Sequence, residues 1–262
     1  MPFDPSPAGP PSPATPRRGP ALWLFGICAM LLVMIALGGA TRLTGSGLSI
    51  MEWAPLSGVL PPLSHAEWER LYALYRQIPQ YALINPDMDL DGFRRIFWLE
   101  WTHRLWGRLI GLAVAGPLLW FWITGRITRA LAWRLLLFVG LGGLQGGVGW
   151  FMVASGFFPD ATAVSPYRLV IHLVLALLLY AAILWTALDL WAAAQGASRE
   201  ARGAAREARG TSREGGAREV VPGGLRPVLG LAAGLVALTL IAGGFVAGNH
   251  AGLDYNTFPL MD

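Results

Sequence analysis

The sequence predicts an all-α polytopic membrane protein: a four-helix transmembrane bundle followed by the first helix of a second, parallel-repeat bundle. Three observations carry that expectation. Hydrophobic residues are 54% of the 262 and charged residues 14%, with mean hydropathy +0.48, far more apolar than an ordinary soluble domain. The apolar residues are bunched into five runs, about 21–41, 97–123, 131–157, 169–191 and 228–246, each long enough to cross roughly 30 Å of hydrocarbon as a helix. A shift of 205 positions superimposes Gly38-Gly39 on Gly243-Gly244, Gly47-Leu48 on Gly252-Leu253 and Trp53 on Phe258. Both segments are the outer end of an outward-running helix and its exit loop, the pattern of a repeat about an axis along the membrane normal.

Residues 1–20 hold eight prolines and no apolar periodicity, which predicts a disordered cytoplasmic tail. The first run is long and is not followed by an A-x-A site, so a cleavable signal peptide is disfavoured. Cys28, the single cysteine, lies within that run, so neither a disulfide framework nor a thiolate metal site is available. Residues 21–191 form the bundle, with an outer loop over 42–96. In that loop Ser64 and Glu67 make a capping-box pattern. Trp68, Leu71, Tyr72 and Tyr75 then share one face before Pro79 ends the helix. Such a helix is expected at the outer membrane–water interface, as a lid.

Residues 192–227 read as a low-complexity cytoplasmic linker. Arg-Glu recurs at 199–200, 206–207 and 213–214, but the positions between are not apolar, which argues against a coiled coil. Residues 228–262 form the first helix and exit loop of an incomplete second bundle. The twenty basic residues are all arginine, and they set the orientation. Arg17 and Arg18 precede the first span, Arg126, Arg129 and Arg134 flank the second turn, and seven arginines lie between Arg199 and Arg226. The opposite side is poorer in arginine for its length. The N-terminus is therefore expected in the cytoplasm and the C-terminus outside, in the periplasm.

Ionisable groups inside spans mark function by default. His103 and His172 fall in the second and fourth spans, both within roughly 10 Å of the outer end at 1.5 Å per residue. Two histidines at matching depth in a four-helix unit suit haem iron ligation. Zinc or copper would want three or four ligands, and the obvious addition is Glu100 alone. Gly107 and Gly111 follow His103 at i+4 and i+8 and clear its face for a flat ring. The third span is hollowed by the glycines of "GLGGLQGGVGW"; close helix packing is the competing account of both sets. Arg42, Arg104 and Arg168 sit near outer helix ends, where guanidinium forks could clamp carboxylates. Snorkelling, or pairing of Arg104 with Glu100, explains any one of them as well. Glu100, three residues before His103, lies on nearly the same face and would point at whatever the histidine ligates, there to stabilise charge or accept a proton. A structural partner for Arg104 is the alternative.

The stretches "GGATRLTGSGLSIMEWAPLSGVLPP" (38–62), "FWLEWTHRLWGR" (97–108), "GGLQGGVGWFMVASG" (142–156), "VSPYRLVIHLVLA" (164–176) and "AGLDYNTFPLMD" (251–262) resemble the haem A synthase family in its proteobacterial and mitochondrial form. The resemblance implies an oxidoreductase of cytochrome oxidase biogenesis that oxidises a ring methyl of haem O to the formyl of haem A. It implies eight spans in two halves, with Glu100, His103 and His172 at the substrate-haem site of the first. A second histidine pair, in helices beyond residue 262, would hold a haem b. The chain thus reads as truncated after the fifth transmembrane helix, and His250 takes no role from the family. Expected partners are haem O, membrane lipid, haem O synthase, an electron acceptor and a second copy of the chain, with no nucleic acid, in a bacterial inner membrane. The rival expectation is a haem-binding or electron-transferring cytochrome b-type protein, or an inactive assembly partner. A small transporter would explain the polar spans but not the matched histidine depths.

Overall fold

A computed structural model describes residues 18–207 and 225–254, and every regular element among them is helical. The elements are α1 (Arg18–Leu43), α2 (His65–Tyr75), α3 (Pro79–Ile84), α4 (Leu90–Ile123), α5 (Arg129–Val153), α6 (Pro166–Glu207), α7 (Leu225–Gly248) and a short α8 (Ala251–Asp254). Five of them, α1, α4, α5, α6 and α7, are long and apolar enough to cross a membrane, as the five runs predict. The chain is an all-α polytopic membrane protein.

Local chemistry sets where the helices start. α4 begins at Leu90 rather than at Phe97 because Asp89 caps it, its Oδ1 accepting from the Gly92 backbone N–H at 2.7 Å. Thr128 caps α5 by accepting from Leu131 N at 3.3 Å, after Gly125 turns the chain with φ of 65°, a conformation that glycine adopts at no steric cost. Pro117 lies inside α4 and has no N–H to give the carbonyl four residues back. That carbonyl, on Ala113, instead accepts from the Trp23 indole of α1 at 2.8 Å. A second indole, on Trp106, donates to Met30 O at 2.9 Å. In hydrocarbon such bonds hold helices together where hydrophobic drive cannot.

α6 continues past Trp191 to Glu207. At 42 residues it is roughly 60 Å long, about twice the hydrocarbon thickness. The residues after Trp191 are rich in alanine, arginine and glutamate, all strong helix formers, and Ser198 accepts from Arg18 at 3.0 Å. Residues 192–207, expected as linker, are therefore helical, and so are residues 18–20 of the expected tail. Residues 1–17, 208–224 and 255–262 lie outside the described residues, and with them the rest of the tail, the rest of the linker and most of "AGLDYNTFPLMD".

The outer loop departs from expectation in one respect. Ser64 caps α2 as read, accepting from Glu67 N at 3.2 Å, but α2 ends at Tyr75 and Pro79 opens α3 instead of closing α2. Proline suits a first helical position because the N–H it lacks would be unpaired there anyway. The aromatic face of α2 packs on the extra turns of α4: Trp68 meets Phe97 with ring centroids 4.8 Å apart, and Tyr75 meets Phe93 at 5.4 Å. That face is covered by protein rather than by lipid.

α1 lies between α4 and α6, α5 closes the ring against α6 and more loosely against α4, and α7 packs outside on α6. Two packed clusters result. One, at the end bearing the α4–α5 turn, joins Ala21, Leu24, Cys28, Leu118, Leu135 and Ile183. The other, at the end bearing the outer loop, gathers Leu48, Trp68, Tyr75, Phe93, Phe97 and Val153. Arg42 donates to Ala247 O at 2.8 and 3.0 Å and to Gly248 O at 2.8 Å. Position 247 is the one that the shift of 205 pairs with 42, so the matched ends of α1 and α7 meet.

Candidate functional site

His103 and His172 occupy the layer between the two clusters. His103 projects from α4 onto α1, where Gly38 makes room: a Cβ there would stand 3.1 Å from its Cε1. His172 projects from α6 toward α5, where a Cβ on Gly149 would stand 3.0 Å from its Cε1. Each imidazole thus rests on a glycine of the neighbouring helix. His103 Nδ1 is buried with no hydrogen-bond partner. Gln145 of α5 holds His172, its Nε2 lying 3.1 Å from His172 Nδ1 and donating to the His172 main-chain oxygen at 2.8 Å.

The glycines divide. Gly107 accommodates Met34, whose Cε a Cβ would meet at 3.3 Å, whereas Gly111, Gly140, Gly142, Gly143, Gly146 and Gly147 have nothing within 4 Å. α4 and α5 make the looser side of the ring, a shallow groove between helices and not an enclosed pocket; glycines as open as these also lie on α1 and α7, at Gly26, Gly39, Gly230 and Gly234. Two cavities, of about 380 and 510 Å³, lie at opposite ends of the bundle, and neither is lined by a histidine. Among the described residues no group of three or more His, Cys, Asp or Glu side chains could hold a metal ion.

Glu100 does not share its surroundings with His103. The carboxylate is 2% exposed and faces the loop after α1. Its Oε2 accepts from Ser49 Oγ at 2.7 Å and Ile50 N at 2.9 Å, and its Oε1 from Arg104 Nε at 3.0 Å and Nη2 at 2.6 Å. Four donors fill the acceptor positions of a carboxylate. Arg104 in turn donates to Ile50 O at 2.7 Å and Glu52 O at 3.0 Å, and Arg108 to Ala54 O at 2.7 Å and Pro55 O at 2.8 Å. Trp53 stacks on Trp150 at 5.9 Å and 13°. One face of α4 thus straps residues 49–55 across the mouth of the α4–α5 groove. Beyond the strap, Arg70 pairs bidentately with Glu52 at 2.9 Å and with Glu67 at 2.8 Å. Those hydrogen bonds hold both carboxyls below the usual glutamate range.

The residues singled out in the sequence therefore sort into four places. His103 and His172 lie in one layer, each against a glycine of a different helix, and Glu100 and Arg104 come together under the strap. Arg42 is committed to the end of α7. Arg168 donates to Phe151 O at 2.8 Å, its guanidinium carbon 3.8 Å from the Phe151 ring centre. Sequence reasoning passed over Gln145 and Ser49. Gln145 was findable as the one polar side chain in "GLGGLQGGVGW", since a buried amide in a span needs a reason. Nothing in sequence separates Ser49 from other loop serines.

The sequence profile of the cytochrome oxidase assembly protein family matches residues 21–262. A protein of Granulibacter bethesdensis named "Heme A synthase" is 63% identical over 244 residues, covering 92% of this chain and 59% of the relative. Proteins of the same name from Parvibaculum lavamentivorans and Paramagnetospirillum magneticum are each 46% identical, covering 92% and 94% of this chain and 63% and 64% of their own length. This chain thus spans about three fifths of those relatives. No solved structure matches it. With a profile match over nearly its whole length, the chain belongs to the cytochrome oxidase assembly protein family.

Proposed function

We propose that this chain carries the haem O-oxidising site of a haem A synthase, converting a ring methyl to the formyl of haem A. The observation that carries the proposal is the pair of imidazoles in one layer of the bundle, each seated on a glycine of a neighbouring helix, in a chain closely similar to proteins of that name. The residues fit a haem. They offer two nitrogen donors on different helices, one with a buried bare nitrogen. Haem bound there would supply the iron-centred redox chemistry and the methyl group to be oxidised.

His103 and His172 would hold the iron. Glu100 lies one turn before His103 as a carboxylate paired with Arg104; with all four acceptor positions engaged, it is suited to stabilising positive charge rather than to accepting a further hydrogen bond. Arg104 orders Glu100 and the strap. Arg42, Arg104 and Arg168 could reach propionates only by giving up the carbonyl bonds they make here, which leaves that role secondary. A haem b, the electron acceptor, haem O synthase and self-association are assigned by resemblance to the full-length enzyme. The membrane is taken to be a bacterial inner membrane by the same resemblance, and the arginine distribution supports an N-terminus in the cytoplasm with residue 262 on the periplasmic side. The saturated Glu100 favours one second reading, a haem carrier that binds but does not oxidise.

Purified protein should show a Soret band that His103→Ala and His172→Ala each abolish; an unchanged band would remove the imidazoles as ligands. Mass analysis of extracted haem then separates enzyme from carrier. Glu100→Gln should retain haem and accumulate the hydroxymethyl form, whereas wild-type haem A yield in that variant would take Glu100 out of the chemistry.

A further inference from the structure

The cavity of about 380 Å³ at the turn end of the bundle lies between the starts of α1 and α5, the α4–α5 turn and α6. Its wall carries three charges: Arg126 on the turn, Arg134 in the second turn of α5, and Asp189 on α6. Arg129, between the two arginines in sequence, does not line it. Among the described residues none of the three is in an ion pair or a side-chain hydrogen bond. Asp189 is set in the apolar run "LLLYAAILWTALDLW" (177–191), and a carboxylate in a span calls for a cation. Opposite charges that share a cavity without meeting leave a gap that a ligand carrying both signs can fill.

The start of α5 adds to the positive side. Thr128 lines the cavity and caps the helix by accepting from Leu131 N. The first-turn N–H groups of Arg129 and Ala130 have no intrahelical acceptor and favour an anion. Leu131 and Leu190 make part of the wall apolar. Exposed indoles mark this end of the bundle: Trp120 and Trp122 in the last turn of α4, Trp133 in the second turn of α5, and Trp185 one turn before Asp189. Tryptophans so placed sit at the level of lipid headgroups.

We propose that this cavity is a headgroup site for a phospholipid bearing a primary amine, phosphatidylethanolamine. Guanidinium N–H groups of Arg126 and Arg134 donate to the phosphate oxygens, and the lipid ammonium donates to the Asp189 carboxylate. Other headgroups fit less well. Choline has no N–H to give the carboxylate, and an anionic glycerol headgroup leaves Asp189 facing phosphate with no cation between them. Bound in this way, the lipid bridges the α4–α5 turn to α6, at the end of the ring opposite the strap. The site requires a headgroup layer at this end; it depends neither on which leaflet supplies that layer nor on the haem reading above.

Native mass spectrometry of the full chain, released from nanodiscs holding equal parts of phosphatidylethanolamine, phosphatidylglycerol and phosphatidylcholine, reads occupancy from the adduct mass. Wild type should retain phosphatidylethanolamine over each of the others by roughly fivefold, the worth of one partly exposed ion pair. Asp189→Asn should erase that preference, and Arg126→Gln combined with Arg134→Gln should lower retention of all three lipids. Arg199→Gln, at an exposed arginine of α6 outside the cavity, should change nothing. Equal retention of the three lipids by wild type, or a preference that survives in Asp189→Asn, would overturn the proposal. Soluble O-phosphoethanolamine should leave the lipid adduct in place, because it lacks the acyl chains that hold a headgroup at this level; displacement would overturn the lipid as the occupant.

Discussion

At the turn end of the bundle, Leu24, Cys28, Leu118, Leu135 and Ile183 fill the space between α1, α4, α5 and α6. Farther along the same four helices, His103 and His172 rest on Gly38 and Gly149, and a run of α5 glycines faces open space. Lipid is as apolar as leucine, so neither region is held by hydrophobic drive alone. The turn end coheres by close packing together with the Trp23 bond to Ala113 O, while polar bonds do more of the holding around and beyond the histidine layer. Trp106 ties α1 to α4, Gln145 ties α5 to α6, and Glu100 with Arg104 straps the loop.

Removing the carboxylate in Glu100→Ala should have the largest effect, about 3–5 kcal/mol, because it strands Arg104 and releases Ser49 and Ile50 together. Thermal unfolding in detergent, with hydrogen exchange over 46–55, would show it; protection of the loop unchanged from wild type would break the idea that polar bonds hold this end. Leu135→Ala, in the packed turn end, should cost about 2–5 kcal/mol yet leave haem uptake intact. Loss of haem in that variant would mean that the two regions are not independent. Gly149→Ala places a methyl 3.0 Å from the His172 ring; a stability loss of about 1–3 kcal/mol with weakened haem binding is expected, measured by titration of the Soret band.

Gly143→Ala probes the open groove. Nothing lies within 4 Å of the added Cβ, so the haem-free protein should gain up to about 1 kcal/mol from helix propensity, and a loss would show that the groove is already filled. Acid should have the smallest effect. Arg70 holds Glu52 and Glu67 below the usual range, so their pairing is fully present above the unfolded glutamate value of about 4.3 and is lost as pH falls through the lowered folded values. Both carboxylates are largely exposed, and about 0–1 kcal/mol is at stake; protease cleavage between 52 and 70 should rise below that pH in wild type but not in Arg70→Ala.

Much of this was legible in the chain. The apolar runs, the cap at Ser64 and the two histidines within spans are local facts, fixed by hydropathy, side-chain chemistry and position; the start of α4 was set late at Phe97 because Asp89, which caps it, precedes the apolar run. Residues 192–207 were misread because a polar, glycine-bearing stretch looks like linker, while its alanine content lets α6 continue. Glu100 and His103 were placed on one face by spacing alone; three residues on a helix leave them about 60° apart, enough for one to face the strap and the other α1.

By itself the sequence determined which described helices are long and apolar enough to cross a membrane and which family the chain resembles, since these depend on composition and order along one segment. Tertiary structure alone decided that Glu100 serves the strap, that Arg42 closes the end of α7, and that Gln145 lies against His172. Each of those pairings joins residues on different helices or loops, and helix packing, which periodicity does not encode, brings them together.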